Sequence, residues 1–236
     1  MPALKQRATA PNDRAAGGLK LGRAGADCSA MHAGIRLLGF VACVVLAAGC
    51  GGTSSTATTS SPPSASGLFV TADAGNLILQ PGDVGSGWFA IPKDTHTVSL
   101  AESMKGDSLS LRKIEQASYR SGYQGLYTDG KKDGVLLGAF TYNNPAVALQ
   151  VADSWSAQTA TQIAHARLLH PPTSVVGDRV SAWQGETHEG RAIVPVWVVM
   201  WSHGNAIGGV FLFGNKASAA QAYRIAAAQD ARLTAA

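Results

Sequence analysis

The chain has 236 residues and a formal net charge of +4, a length that admits one or two domains. The excess charge is confined to the N-terminal part: six of the 19 basic and two of the 15 acidic residues precede Cys50, leaving 13 of each from Cys50 onward. A neutral remainder excludes the basic face that nucleic-acid binding requires.

Residues 32–50 read HAGIRLLGFVACVVLAAGC, with basic Arg36, an apolar run from Leu37 to Ala48 and then small residues. A run of about 12 apolar residues is too short for a membrane-spanning helix, which needs about 20, and has the dimensions of a signal-peptide core. Leu46-Ala47-Ala48-Gly49-Cys50 resembles the lipobox of bacterial lipoproteins. That family usually has Leu, Val or Ile three residues before the cysteine, where this chain has Ala47 with Leu46 one position further out. The resemblance implies that residues 1–49 are removed and that Cys50 becomes an acylated N-terminus on the outer side of a membrane. Met31 is a natural start, so residues 1–30 are set aside as a start extension or a long n-region. Cys28 and Cys43 then leave with the precursor and Cys50 carries lipid. No cysteine remains for disulfides, thiol catalysis or thiolate metal sites.

Residues 51–67, GGTSSTATTSSPPSASG, hold no large apolar side chain. With Cys50 they form a lipidated tether (50–67), averaging roughly 20–25 Å end to end. A globular domain is expected over 68–236. A short helix is predicted over Ala74–Gln80, stopping at Pro81, followed by a turn-rich segment around Gly82, Gly85 and Gly87. Residues 95–115 read as loop with a short helix.

Two similar units follow. The first is strand Tyr119–Tyr127, turn, strand Val135–Tyr142 and helix Pro145–Ile163. The second is strand Ala192–Trp201, turn Ser202–Asn205, strand Ala206–Phe213 and helix Lys216–Leu233. At an offset of 71 residues, Gly138/Gly209, Phe140/Phe211, Asn144/Asn215, Ala146/Ala217, Ala148/Ala219 and Gln150/Gln221 are identical. This is either an internal duplication or two ββα units that converge on the same Asn cap and Ala-rich helix. Each Asn is placed to cap its helix, with Pro145 at the first helical position. The predicted inward faces are Ala148, Val151, Ala152, Trp155 and Thr159, then Ala219, Ala222, Tyr223, Ala226 and Leu233. Val175–Glu186 reads as a further strand, with a turn over 186–191. The sum is an α+β fold, an antiparallel sheet with two main helices packed on it.

Chemistry-bearing motifs are sparse. Among His96, His165, His170, His188 and His203 no pair has helical i,i+4 spacing; His188 beside Glu186 and Glu189 is a weak metal pattern, outweighed by an ordinary polar hairpin tip. No hydrolase signature occurs, and Asp83, Asp94, Asp178, Glu186 and Glu189 offer carboxylates without singling out a pair. The glycines at 82, 85 and 87 lack phosphate-loop spacing. No cofactor is implied.

Aromatic residues point further. Ala192–Trp201 is apolar on both faces, with Trp197 and Trp201 on one, so both must be covered or one must bind something. Pro195 suggests a sheet edge or bulge. Tyr119, Tyr123 and Tyr127 are expected on one face of their strand. These five aromatics are either core and rim or the lining of an apolar groove with polar tips.

Few lysines and many Ala and Gly residues suggest a high-GC bacterium. Gly87-Trp88 and Val176-Gly177-Asp178 make the globular part similar to uncharacterised actinobacterial lipoproteins and sensor-type extracellular domains. The resemblance implies an envelope domain and no known reaction. The expectation is a non-enzymatic, lipid-anchored envelope module that binds a small apolar or amphipathic ligand or a partner protein. A wall-polymer hydrolase and a structural assembly subunit are the alternatives.

Overall fold

The computed structural model describes residues 68–131, 133–172, 176–189 and 192–236. Cys50 and the expected signal segment and tether lie outside the described residues. No described helix is long and apolar enough to cross a membrane.

In chain order the elements are α1 (Ala74–Leu77), α2 (Pro81–Val84), β1 (Phe89–Ala90), a 3-10 turn (Pro92–Asp94), β2 (His96–Val98), α3 (Leu100–Ser103) and α4 (Leu109–Ser118). Then follow β3 (Tyr119–Thr128), β4 (Gly134–Tyr142), α5 (Pro145–Gln162), β5 (Ala164–Leu169), β6 (Arg179–Glu189), β7 (Ala192–His203), β8 (Ala206–Phe213) and α6 (Ala219–Thr234). All strand pairs are antiparallel, in the order β1-β3-β4-β8-β7-β6-β5, with β2 beside β1 on the outer edge of β3. The antiparallel sheet with helices packed on it is the expected α+β fold.

The two long helices cover opposite faces. On one, α6 and the segment 68–84 pack against Val135, Leu137, Val199, Trp201, Val210 and Leu212. On the other, α5 and α4 pack against Leu126, Leu136, Phe140, Val196, Val198, Met200, Ile207 and Phe211. β7 lies inside the sheet and is covered on both sides, which is why its sequence is apolar at consecutive positions. Pro195 is not at an edge. It lies one residue beyond the last β7–β8 pair, Val196–Phe213, and its carbonyl accepts from Gly214, so its missing N–H falls past the end of β8.

This arrangement decides how far the pseudo-repeat extends. Gly138 and Gly209 are direct partners across β4 and β8, and Phe140 and Phe211 lie on the same face. The helices then part. Asn144 caps α5 by accepting from Ala146 N–H at 2.9 Å, as expected. Asn215 caps nothing in α6. Gly214, at φ 124°, turns the chain, and Ser218 caps α6 by accepting from Gln221 N–H at 3.2 Å. Those extra residues carry α6 to the other face. Its buried stripe is Ala222, Ile225, Ala226, Gln229 and Leu233 in place of one containing Tyr223.

Residues 68–84 have little secondary structure, and side chains of the sheet and of α6 satisfy much of their backbone. Asn205, fully buried, accepts from Val70 N–H at 2.6 Å and donates to the carbonyls of Val70 and Tyr142. Arg120 bonds the carbonyls of Val70 and Thr71, Tyr127 that of Leu79, and Arg232 that of Ile78.

Three segments differ from expectation. Residues 186–189 continue β6 where a turn was expected, so Glu186 and His188, two residues apart, share one face of a strand. β5 follows α5 directly, with His165 at φ 54° inside a register shift. Residues 95–115 hold β2, α3 and most of α4.

Candidate ligand cleft between helix and sheet

The five aromatics do not form one row. Trp201, Trp197, Tyr123 and Tyr127 belong to the α6 face. A register shift between Tyr119 and Ser121 inverts the alternation and puts Tyr119 on the α5 face, where it meets Tyr142 edge-on at 5.9 Å. Three of the five have their polar tips bonded within the protein. Trp201 donates to Asp230 at 2.9 Å, Tyr127 to Leu79 O at 2.7 Å and Tyr119 to Val98 O at 2.5 Å. Burial pushes both of these tyrosine hydroxyls up to about 12.

Val176-Gly177-Asp178 forms a clasp. Asp230 on α6 accepts from Gly177 N–H at 3.1 Å, holds the Trp201 indole and touches His203 Nδ1 at 2.9 Å, while Asp178 accepts from Gly204 N–H at 2.8 Å. Gly177 (φ 58°) runs so close to the Ser202 carbonyl that a Cβ has no room. Trp88 packs partly buried against the α6-side core. The carboxylates considered from the sequence are spread over α2, the 3-10 turn, the residue preceding β6 and the end of β6 itself: Asp83 pairs with Arg232 at 2.6 Å, and Glu186 lies 3.9 Å from His165. No group of three His, Cys, Asp or Glu capable of holding a metal occurs among the described residues.

The open feature lies on the α5 face. Across β3, β4, β8 and β7 one lateral row reads Gln124, Gly138, Gly209, Met200. The rows on either side carry Leu136 and Phe211, and Phe140 and Ile207. Two facing glycines therefore sink a furrow into the centre of the sheet. A Cβ placed on Gly209 meets nothing within 4 Å, whereas one on Gly208, its neighbour on the other face, runs into the Trp201 indole.

α5 roofs the furrow with Trp155, Gln158, Thr159 and Gln162, which share one helical face at i, i+3, i+4, i+7. The edge-to-face contact of Phe140 with Trp155, centroids 4.8 Å apart, props that end of the helix off the sheet. The resulting cleft encloses about 110 Å³. That is several times the 10–15 Å³ or so that one water needs. Its walls are aromatic, aliphatic and Met200, its polar groups are the side chains of Gln124, Gln158, Gln162 and Thr159, and no lining residue is ionisable.

Behind one wall lies a buried acid pair. Gln158 donates to Asp107 Oδ1 at 3.0 Å, and the Asp107 carboxyl lies close enough to Glu115 for its charge to act on it. Glu115 is fully buried and its Oε1 accepts from Ser103 at 2.5 Å and Tyr142 at 2.9 Å. Burial above all, with Asp107 beside it, raises the Glu115 carboxyl to about 7, although the two hydroxyls pull the other way.

None of the cleft or acid-pair residues was singled out from the sequence as a site. Two facing strand-interior glycines, Gly138 and Gly209, were visible as a repeat, and such glycines mark close approach or missing bulk. An acid on the inward stripe Leu111–Glu115–Ser118 was the other available signal.

No protein-family model matches the chain, and no curated relative matches it. Among solved structures, the extracellular domain of PknH from Mycobacterium tuberculosis is similar over 71% of this chain and 98% of that one. Its TM-score is 0.51 and its identity 11%. The likeness is one of fold: this chain shares its architecture with the extracellular domain of a mycobacterial protein.

Proposed function

We propose that this protein is a non-enzymatic envelope module, tethered by lipid on Cys50, that holds a small uncharged amphipathic ligand between α5 and the sheet. The cleft itself carries the reading. Its floor is cleared by two facing glycines, its walls are apolar, and its polar groups are amides and a hydroxyl that can orient a neutral head group. The signal-like segment before Cys50 and a fold shared with an extracellular domain support an extracytoplasmic setting.

The test is titration of the full chain with N-phenyl-1-naphthylamine, a neutral probe that fluoresces in apolar surroundings, together with Gly209→Leu. The leucine enters open space, so the fold is expected to keep its Tm within a few degrees while probe binding falls at least tenfold. Undiminished binding by the variant would remove the cleft from consideration. The lipid anchor is checked separately, by an intact-mass shift in membrane-extracted protein that Cys50→Ser abolishes.

A further inference from the structure

The Asp107–Glu115 pair stands outside the cleft but is joined to it through one side chain. Gln158 lines the cleft and is anchored by its amide to Asp107 Oδ1. Asp107 Oδ2 and Glu115 Oε2 are buried, and no donor reaches either of them among the described residues. Two neighbouring buried carboxyls, each with an oxygen that no donor reaches, are relieved by a proton held between them.

We propose that this shared proton controls the cleft: with it present the α3–α4 segment is clamped to α5 through Gln158 and ligand is retained, and its loss releases both. The proposal rests on the cleft being the ligand site. With the proton gone, two buried carboxylates face each other, and separation of the Asp107 segment from α4 and α5 relieves the repulsion. Gln158 then loses its anchor, and the cleft loses a fixed wall.

The groups facing Glu115 are Ser103 from α3, Asp107 from the connection, Tyr142 from β4 and Tyr119 from β3, with Glu102 acting on Tyr119 in turn. None of them is basic, so none compensates a second negative charge. The rise of the Glu115 carboxyl to about 7 places the change near neutrality.

Probe titration of the full chain at pH 6 and pH 8 tests this with wild type, Glu115→Gln, Asp107→Asn and Gly209→Leu. Wild type should bind N-phenyl-1-naphthylamine about tenfold more weakly at pH 8, the effect of one proton lost at a pKa near 7 when only the protonated form binds. Glu115→Gln, or Asp107→Asn should the former fail to fold, should bind equally at both pH values, within about twofold. A wild-type affinity that does not change with pH, or a tenfold change that persists in both variants, overturns the proton linkage while leaving the cleft intact. Probe binding that Gly209→Leu does not diminish, or no binding at either pH, overturns the cleft assignment and the linkage with it.

Discussion

Glu115 is a carboxyl whose buried surroundings favour its neutral form. A carboxyl held near 7 in the folded protein and near 4.5 when unfolded binds its proton more tightly in the fold. Its contribution to stability is therefore complete at low pH and declines as pH rises through about 7. Glu115→Gln cannot lose that proton. We expect the Tm of the variant to gain on wild type by a few degrees, roughly, between pH 5 and pH 8. Parallel Tm curves measured by calorimetry would show that Glu115 titrates normally. The sequence held a trace of this residue, since Leu111, Glu115 and Ser118 share an inward stripe, but residues 95–115 read as loop with a short helix. Only the tertiary fold brings Asp107, Ser103 and Tyr142 around it. Trp201 shows the opposite case: its burial was legible from the apolar strand around it, whereas its partner Asp230, 29 residues away on α6, was not.

At the scale of elements, the sheet uses neighbouring glycines for different ends. Gly208 makes room for the Trp201 indole on the α6 face; Gly209 leaves empty space on the α5 face. Gly208→Ala should cost about 1–3 kcal/mol, because the indole is fixed by its bond to Asp230 and cannot step aside. Gly209→Ala should be close to neutral. Denaturant unfolding separates the two, and equal costs would contradict the two-face assignment. Strand positions in the two ββα units were legible from their period, and the start of α5 from Asn144 and Pro145. The direction of each helix was not. Asn144 and Asn215 look alike in sequence, yet only Asn144 is followed by a proline that starts a helix at once; Gly214 and Ser218 redirect α6. Likewise Tyr119 reads in phase with Tyr123 and Tyr127 until a bulge, which no local residue announces, turns it over.

For the whole molecule, the sheet is a partition between a closed side and an open one. On the α6 side the segment 68–84 and α6 fill the face, and the Asp230 clasp locks the β7–β8 turn onto α6. On the α5 side the helix is held away by Phe140 and Trp155, and the gap above Gly138 and Gly209 is the cleft. The α+β class and the apolar demand of β7 on both faces were readable from sequence. The cleft was not, because it depends on which residues stand opposite one another in register. The measurement that bears most directly on the central claim is native mass spectrometry of the protein purified from its own envelope, wild type beside Gly209→Leu. A reproducible added mass on wild type, released as an uncharged amphipathic compound and missing from the variant, is the result expected. A wild-type protein with no added mass, or one carried equally by both proteins, would contradict the cleft as a ligand site.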